Sequence, residues 1–423
     1  MHTKQRLSNN VRVVLSPLKD TQTVTVLVMF AVGSRYEQKR INGISHFIEH
    51  MMFKGTKKRP NTLAISKELD ARGAGYNAYT AKDVTGYWVK ISADKLELAL
   101  DIVSDMLYNS KFDAKEIERE KTVICEELRM YRDNPVMHID TVLEQLMFEG
   151  SSLGWDIGGE DPIIMGLTRK DMIDFRDAHY SGANVVVGIA GNIDEAKALV
   201  LSKKYFGKKF KKETEAGFDV FTDPHTAKPR AIIYFKEAEQ IQMMLGFHAY
   251  PYGHTDREAV ELLATILGGT MSSRLFISIR EKHGLCYSIH ASHESYHDTG
   301  VFSVQSGLDK SRLEKAIPLI LAELKKIRDK GVTPQELKRA KDYKKGKLAI
   351  SFEDSSNVVS WYARQEVMTG EMLTPEQKLK LLNKITQKDI LRVAKNLFQT
   401  GNINLALIGP YKDTAPFEKL LKL

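Results

Sequence analysis

Two histidines, His46 and His50, stand four positions apart with Glu49 between them in the stretch GISHFIEHMMFKGT. On a helix, residues at i and i+4 project from one face, where two imidazoles can share one cation. Glu49 follows His46 by three positions, lies on the same face, and could serve as general base toward a water that the cation activates. Ile44, Phe47, Ile48, Met51 and Met52 recur at helical spacing on the other side, which predicts an amphipathic helix with a buried apolar face. The plain alternative is a solvated polar face with no ligand at all.

A third ligand must come from another element and be His, Asp or Glu. The segment FDAKEIEREKTVICEELRMY offers one. Asp113 and Glu116 suit the N-cap and N3 positions of a helix. Along it Ile117, Glu120, Ile124 and Glu127 form one continuous stripe. If that stripe faces the core, both carboxylates need a cation or hydrogen-bond donors, because a buried unpaired charge costs several kcal/mol. If it is only half covered, they are surface glutamates. Periodicity alone does not choose between these.

Comparison of the chain with itself is more decisive. LTRKDMIDFRDAHYSGANVVVGIAGNI (167–193) matches ITQKDILRVAKNLFQTGNINLALIG (385–409) at a shift of 218, and FDAKEIEREKTVICEEL (112–128) matches VTPQELKRAKDYKKGKL (332–348) at 220. HFIEHMMFKGT (46–56) matches VELLATILGGT (260–270) at 214. One order of strands and helices therefore occurs twice, without regular βαβ alternation. This predicts an α+β fold of two homologous domains from an internal duplication, each a largely antiparallel sheet covered by helices. The expected division is a catalytic domain 1–212, an inter-domain linker 213–230 and a homologous domain 231–423. At the matching positions of the second half, His46, Glu49 and His50 become Val260, Leu263 and Ala264, and Glu120 and Glu127 become Ala340 and Lys347. The polar groups are absent together while the apolar pattern persists, as for a site placed on one copy of a scaffold.

Composition narrows the function class. A chain of 423 residues with 43% hydrophobic and 27% charged residues can bury two or three domain cores. The net charge of +8 is scattered, and short runs such as 208–212 and 325–330 read as solvated faces or linker, so no nucleic-acid partner is expected. Cys125 and Cys286 form neither a CxxC pair nor a disulfide framework, which fits a reducing compartment, the cytoplasm. The opening MHTKQRLSNNVRVVL lacks the apolar region of a signal peptide, and VTVLVMFAV (24–32) is too short to span a bilayer. No membrane association is expected. His248, His290, His293 and His297 lack ligand spacing and suit structural roles.

The HxxEH pattern, the spacing of 77 positions from His50 to Glu127 and the preceding EREKTVICEE resemble the pitrilysin family of zinc peptidases, the inverzincins. The pattern is most similar to the β-subunit of mitochondrial processing peptidase and its bacterial relatives, and the resemblance spans essentially the whole chain. It implies Zn²⁺ held by His46, His50 and Glu127, Glu49 as general base, and Glu120 as an accessory carboxylate. It implies that Asn77 and Ala78, in the hairpin-like AGYNAYTAKDVTGYWVKI, bind a peptide substrate as an added strand. In SSRLFISIREKHGLCYSIH, it implies that Arg280 and Tyr287 hold substrate near the metal. Taken alone, that pair reads as a surface Arg and a half-buried Tyr. The family encloses substrates in a chamber of four such domains, so a homodimer, or a heterodimer with an inactive relative, is implied. The expected function is a zinc metalloendopeptidase. The rival expectations are an inactive scaffold subunit and a basic nucleic-acid-binding protein.

Overall fold

The computed structural model describes residues 2–210, 217–223 and 228–423, so 213–216 and 224–227 of the expected linker lie outside the described residues. Strands β1 (Thr3–Arg6), β2 (Arg12–Pro17), β3 (Thr23–Phe30), β4 (Gly75–Thr80), β5 (Thr85–Ser92) and β6 (Val185–Gly191) form a six-stranded sheet in the order β1-β2-β6-β3-β5-β4. Strands β7 (Arg230–Phe235), β8 (Gln240–Ala249), β9 (Cys286–Ser295), β10 (Gly300–Asp309) and β11 (Asn404–Gly409) form a five-stranded sheet in the order β7-β11-β8-β10-β9. In each sheet one pair is parallel, β2 with β6 and β7 with β11, and the remaining pairs are antiparallel. The second sheet therefore repeats the first without β1, and the α+β duplication expected from the sequence is what the chain forms.

The helices repeat as well. In the first half α1 (Ile44–Met52), α2 (Leu96–Asn109), α3 (Ala114–Asp133), α4 (Pro135–Met147) and α5 (Arg169–His179) follow in order. In the second half α6 (Arg257–Gly268), α7 (Leu313–Lys330), α8 (Pro334–Ser351), α9 (Ser355–Met368) and α10 (Gln387–Leu397) answer them one for one. The equivalence extends to capping: Thr168 and Asp171 form a capping box on α5, and Thr386 and Asp389 form the same box on α10.

The described residues gather into two compact units. One comprises Met1–Leu128, Trp155–Asp219 and Leu348–Thr374, and the other Arg129–Gly154, Val220–Lys347 and Pro375–Leu423. The two equivalent helices α4 and α9 are exchanged: α4 belongs to the second unit and α9 to the first. The cause is the outward face of each sheet. Along β3, Val24, Val26, Val28 and Phe30 point into one core with α1, while Thr25 and its neighbours point the other way, where Thr25 meets Ser355 of α9 at 2.8 Å. In the second unit Ile139, Val142, Leu143 and Met147 of α4 bury against Met244, Val301, Ala406 and Ile408. Glycines let the helices lie close. A Cβ on Gly188 of β6 would stand 2.6 Å from Val359, and one on Gly246 of β8 would stand 2.6 Å from the Met147 sulfur. Among the described residues no helix is long and apolar enough to cross a membrane.

Candidate metal centre

Helix α1 has nine residues, and Ile44, Phe47, Ile48, Met51 and Met52 are all buried, as the periodicity requires. Its polar face therefore has a fixed direction. On helix α3, Ile117, Glu120, Ile124 and Leu128 are buried. At the C-terminal end of α1, the Ser110 hydroxyl, which follows α2, donates to the Met51 carbonyl at 3.0 Å. This bond ties the end of α1 to the segment between α2 and α3, and contacts from Glu120 and Glu127 of α3 to His50 join the two helices at the polar face.

There His46, His50 and Glu127 each offer one ligand atom, and these atoms lie within 4.8 Å of one another. Nε2 of His50 is 3.1 Å from Nε2 of His46 and 3.3 Å from Oε2 of Glu127, and His46 Nε2 is 3.8 Å from the same oxygen. The other ring nitrogen of His50, Nδ1, bonds Oε1 of Glu120 at 2.9 Å, and Lys54 Nζ holds Oε2 of Glu120 at 2.5 Å. With Nδ1 bonded to a carboxylate, Nε2 is the ring nitrogen turned toward the cluster, and a bound cation would take the place of its proton. Glu120 is 2% exposed, a buried carboxylate held between the half-buried Lys54 and His50.

The charges follow from these contacts. Burial, then the neighbouring His50, lowers the pKa of His46 to about 4. Burial also opposes charge on His50, but the bonds to Glu120 and Glu127 outweigh it and raise its pKa to about 9. The bond from His50 holds Glu127 below the usual carboxylate range against the effect of burial. Burial acts to raise Glu120, yet His50 and Lys54 together keep it low. Glu49, on the same face of α1, is the exception. Burial raises its pKa, with the Thr80 hydroxyl, which donates to Oε2 at 2.6 Å, working the other way. A carboxylate tuned upward is suited to taking and returning a proton near neutral pH.

The donor set fits zinc. Two imidazole nitrogens and one carboxylate oxygen are the ligands of a catalytic site that leaves a fourth position open, and bonds of about 2.0–2.1 Å in a tetrahedron put donors about 3.3 Å apart. The separations of 3.1, 3.3 and 3.8 Å bracket that figure. Two ring nitrogens facing each other at such range need a cation or a proton between them.

The remaining residues singled out from the sequence are placed as follows. Asn77 and Ala78 lie on β4, an edge strand of its sheet, Asn77 exposed and Ala78 buried. Arg280 is in a π-helical turn, Phe276–Lys282, its guanidinium 4.6 Å from the Phe276 ring centre and 5.5 Å from that of Tyr287. Tyr287 is 82% exposed, not half-buried as the pair taken alone suggests, because it sits at the start of edge strand β9. Both belong to the second unit, whereas His46, His50, Glu49, Glu120 and Glu127 belong to the first. Thr80, Lys54 and Glu37 escape a reading of the sequence. Glu37 accepts hydrogen bonds at the start of α1, and the one available hint is that Gly43 stands where a capping Ser, Thr, Asp or Asn would be expected.

The chain is similar to known proteins over most of its length. The family profile described as "Insulinase (Peptidase family M16)" matches residues 12–160, and "Peptidase M16 inactive domain" matches 166–344. The second range is the one in which Val260, Leu263 and Ala264 replace the histidines and glutamate. An uncharacterised zinc protease of Bacillus subtilis is 33% identical over 95% of this chain and 97% of its own length. An uncharacterised zinc protease of Streptomyces coelicolor is 31% identical over 96% of this chain and 89% of its own. In fold, a protease from Helicobacter pylori superposes with a TM-score of 0.90 at 24% identity, covering 97% of this chain and 99% of that one.

Proposed function

The chain belongs to peptidase family M16, and from that premise we propose that it is a zinc-dependent endopeptidase acting on peptides or unfolded segments. The observation that carries this reading is the convergence of His46, His50 and Glu127 with Glu49 on the same helix face. His46, His50 and Glu127 would hold the ion. Bound zinc supplies Lewis acidity toward a carbonyl and lowers the pKa of water. Glu49 takes the proton of the attacking water and returns it to the leaving amine, and the Thr80 hydroxyl fixes the carboxylate for both transfers. Glu120, clamped by Lys54, keeps the His50 ring in its tautomer and orientation.

A substrate in extended form would pair with the free edge of β4, with Asn77 and Ala78 supplying main-chain contacts. Arg280 and Tyr287 would bind its carbonyl and the developing oxyanion. Since this chain contributes two homologous domains, the working enzyme in this proposal is a dimer, most simply of two copies, that closes a chamber around the peptide. A cytoplasmic setting, suggested by the two free cysteines, is part of the same reading.

The direct test is elemental analysis of the purified protein together with cleavage of an unstructured peptide. About one zinc per chain is expected, with cleavage stopped by a chelator and restored by added Zn²⁺. Metal-independent cleavage, or none under any loading, defeats the proposal. The dimer is tested separately by mixing inactive Glu49→Gln and Arg280→Ala chains. If Arg280 serves the partner's metal centre, the mixture regains part of the activity, and a mixture as inactive as its components excludes a shared site.

A further inference from the structure

The first N–H groups of any α-helix have no partner within it. Helix α1 starts from Gly43, a residue in the left-handed region at φ 93 with no side chain to cap it. Its donors are met from outside by Glu37. Oε2 of Glu37 accepts from the Gly43 N–H at 2.7 Å and from Asn42 Nδ2 at 2.9 Å, and Oε1 accepts from the Ser45 N–H at 2.8 Å. Three donors converge on two oxygens, so both oxygens must be acceptors. A carboxylate satisfies this, whereas an amide or a protonated acid would set a donor against a donor.

The anchor is also rigid on its other side. A Cβ on Gly43 would lie 2.5 Å from the Gly158 carbonyl, and one on Gly159 would lie 2.4 Å from the Asn42 carbonyl. Asn42 Nδ2 further donates to the Asp156 carbonyl at 2.9 Å. Ser45 directly precedes His46, and the remaining chemistry on α1 lies within the next turn and a half. Any axial slip or rotation at this end is therefore passed to His46, Glu49 and His50.

Stability alone would not call for this device. A Ser or Asn at the N-cap position stabilises a helix by about 1 kcal/mol without burying a charge. Glu37 is 5% exposed, and burial raises its pKa to about 7 even though the bonds from Asn42, Ser45 and Gly43 pull it down. A costly buried carboxylate stands where an inexpensive cap would serve the helix equally well. We propose that Glu37 is a positioning residue for the metal centre, its two oxygens fixing the height and rotation of α1 so that His46 and His50 meet Glu127 of α3. This rests on the reading of that cluster as a metal site.

The test loads the full chain with Co²⁺ and follows its visible absorption, which reports ligand geometry without any turnover. Glu37→Gln is expected to weaken Co²⁺ binding by about 10–100-fold, the range for groups that orient ligands, and to change the absorption band. On the zinc-loaded enzyme it should lower kcat and leave KM unchanged. Glu37→Asp, which keeps the charge, should recover part of the affinity. Asn42→Ala removes one donor, keeps the carboxylate, and should show a smaller change in the same direction. If the Glu37 variants fold and bind Co²⁺ with wild-type affinity and spectrum, the proposal is overturned, even where the melting temperature falls. If no Glu37 variant folds, wild-type Co²⁺ binding by Asn42→Ala overturns it. A wild-type chain that binds no Co²⁺ is a distinct result, which removes the metal reading itself.

Discussion

Glu49→Gln reduces kcat for peptide hydrolysis by about three orders of magnitude while zinc content and KM stay near wild type. The size follows from the role: a positioned general base contributes roughly 10²–10⁴-fold, and a thousandfold loss is about 4 kcal/mol of transition-state stabilisation. The substitution is nearly isosteric, and the Gln carbonyl oxygen can still accept from Thr80, which now bonds Glu49 at 2.6 Å. What is lost is the ability to take a proton. Glu49 is not one of the three converging donors, so the ion should remain. Steady-state kinetics on a fluorogenic peptide, with elemental analysis of the same sample, separates the two properties. Activity within a few-fold of wild type would remove Glu49 from the mechanism.

Glu127→Ala is the second large effect, and it should act through the metal. His46 and His50 are one turn apart on the same short helix, and Glu127 is the only donor of the cluster that comes from α3. Without it, two imidazoles remain, too few for a catalytic zinc site. The variant should lose both zinc and activity, and excess Zn²⁺ should not restore wild-type kcat. Its fold should survive, because Glu127 is a quarter exposed and its ion pairs are with His46 and His50. A variant that keeps stoichiometric zinc would mean that another residue closes the site.

Much of this centre is legible in the sequence, though unevenly. The spacing of His46, Glu49 and His50 needs only a helix, and the apolar residues between them guarantee one. The stripe through Glu120 and Glu127 is equally readable, but the different duties of the two carboxylates are not. Seven residues are almost two turns, so both glutamates share a direction while standing about 10 Å apart along the axis. Only packing decides that Glu120 lies beneath His50 with Lys54 and that Glu127 stands at its other nitrogen. Thr80 reaches Glu49 because β4 is placed beside β5 in a fixed register, which no local pattern encodes. Glu37 lies upstream of α1 in an irregular segment, where no periodicity marks a residue as important.

The fold shows the same division. Duplication is visible because each half repeats its elements in order. The exchange of α4 and α9 is not visible, since an apolar helix face states that it must be covered and leaves open which sheet covers it. The glycines that admit these helices, Gly188 and Gly246, look like ordinary strand glycines until the helix above them is seen.

That exchange bears on how the protein is made. The six-stranded sheet of the unit that holds the cluster has one face covered by α9, whose last residue is Met368. During synthesis the first unit cannot close until residues up to Met368 have left the ribosome, although His46, Glu49, His50, Glu120 and Glu127 have all been delivered by position 127. The nascent N-terminal segment therefore waits with an uncovered apolar face, a state for which chaperone attention is expected.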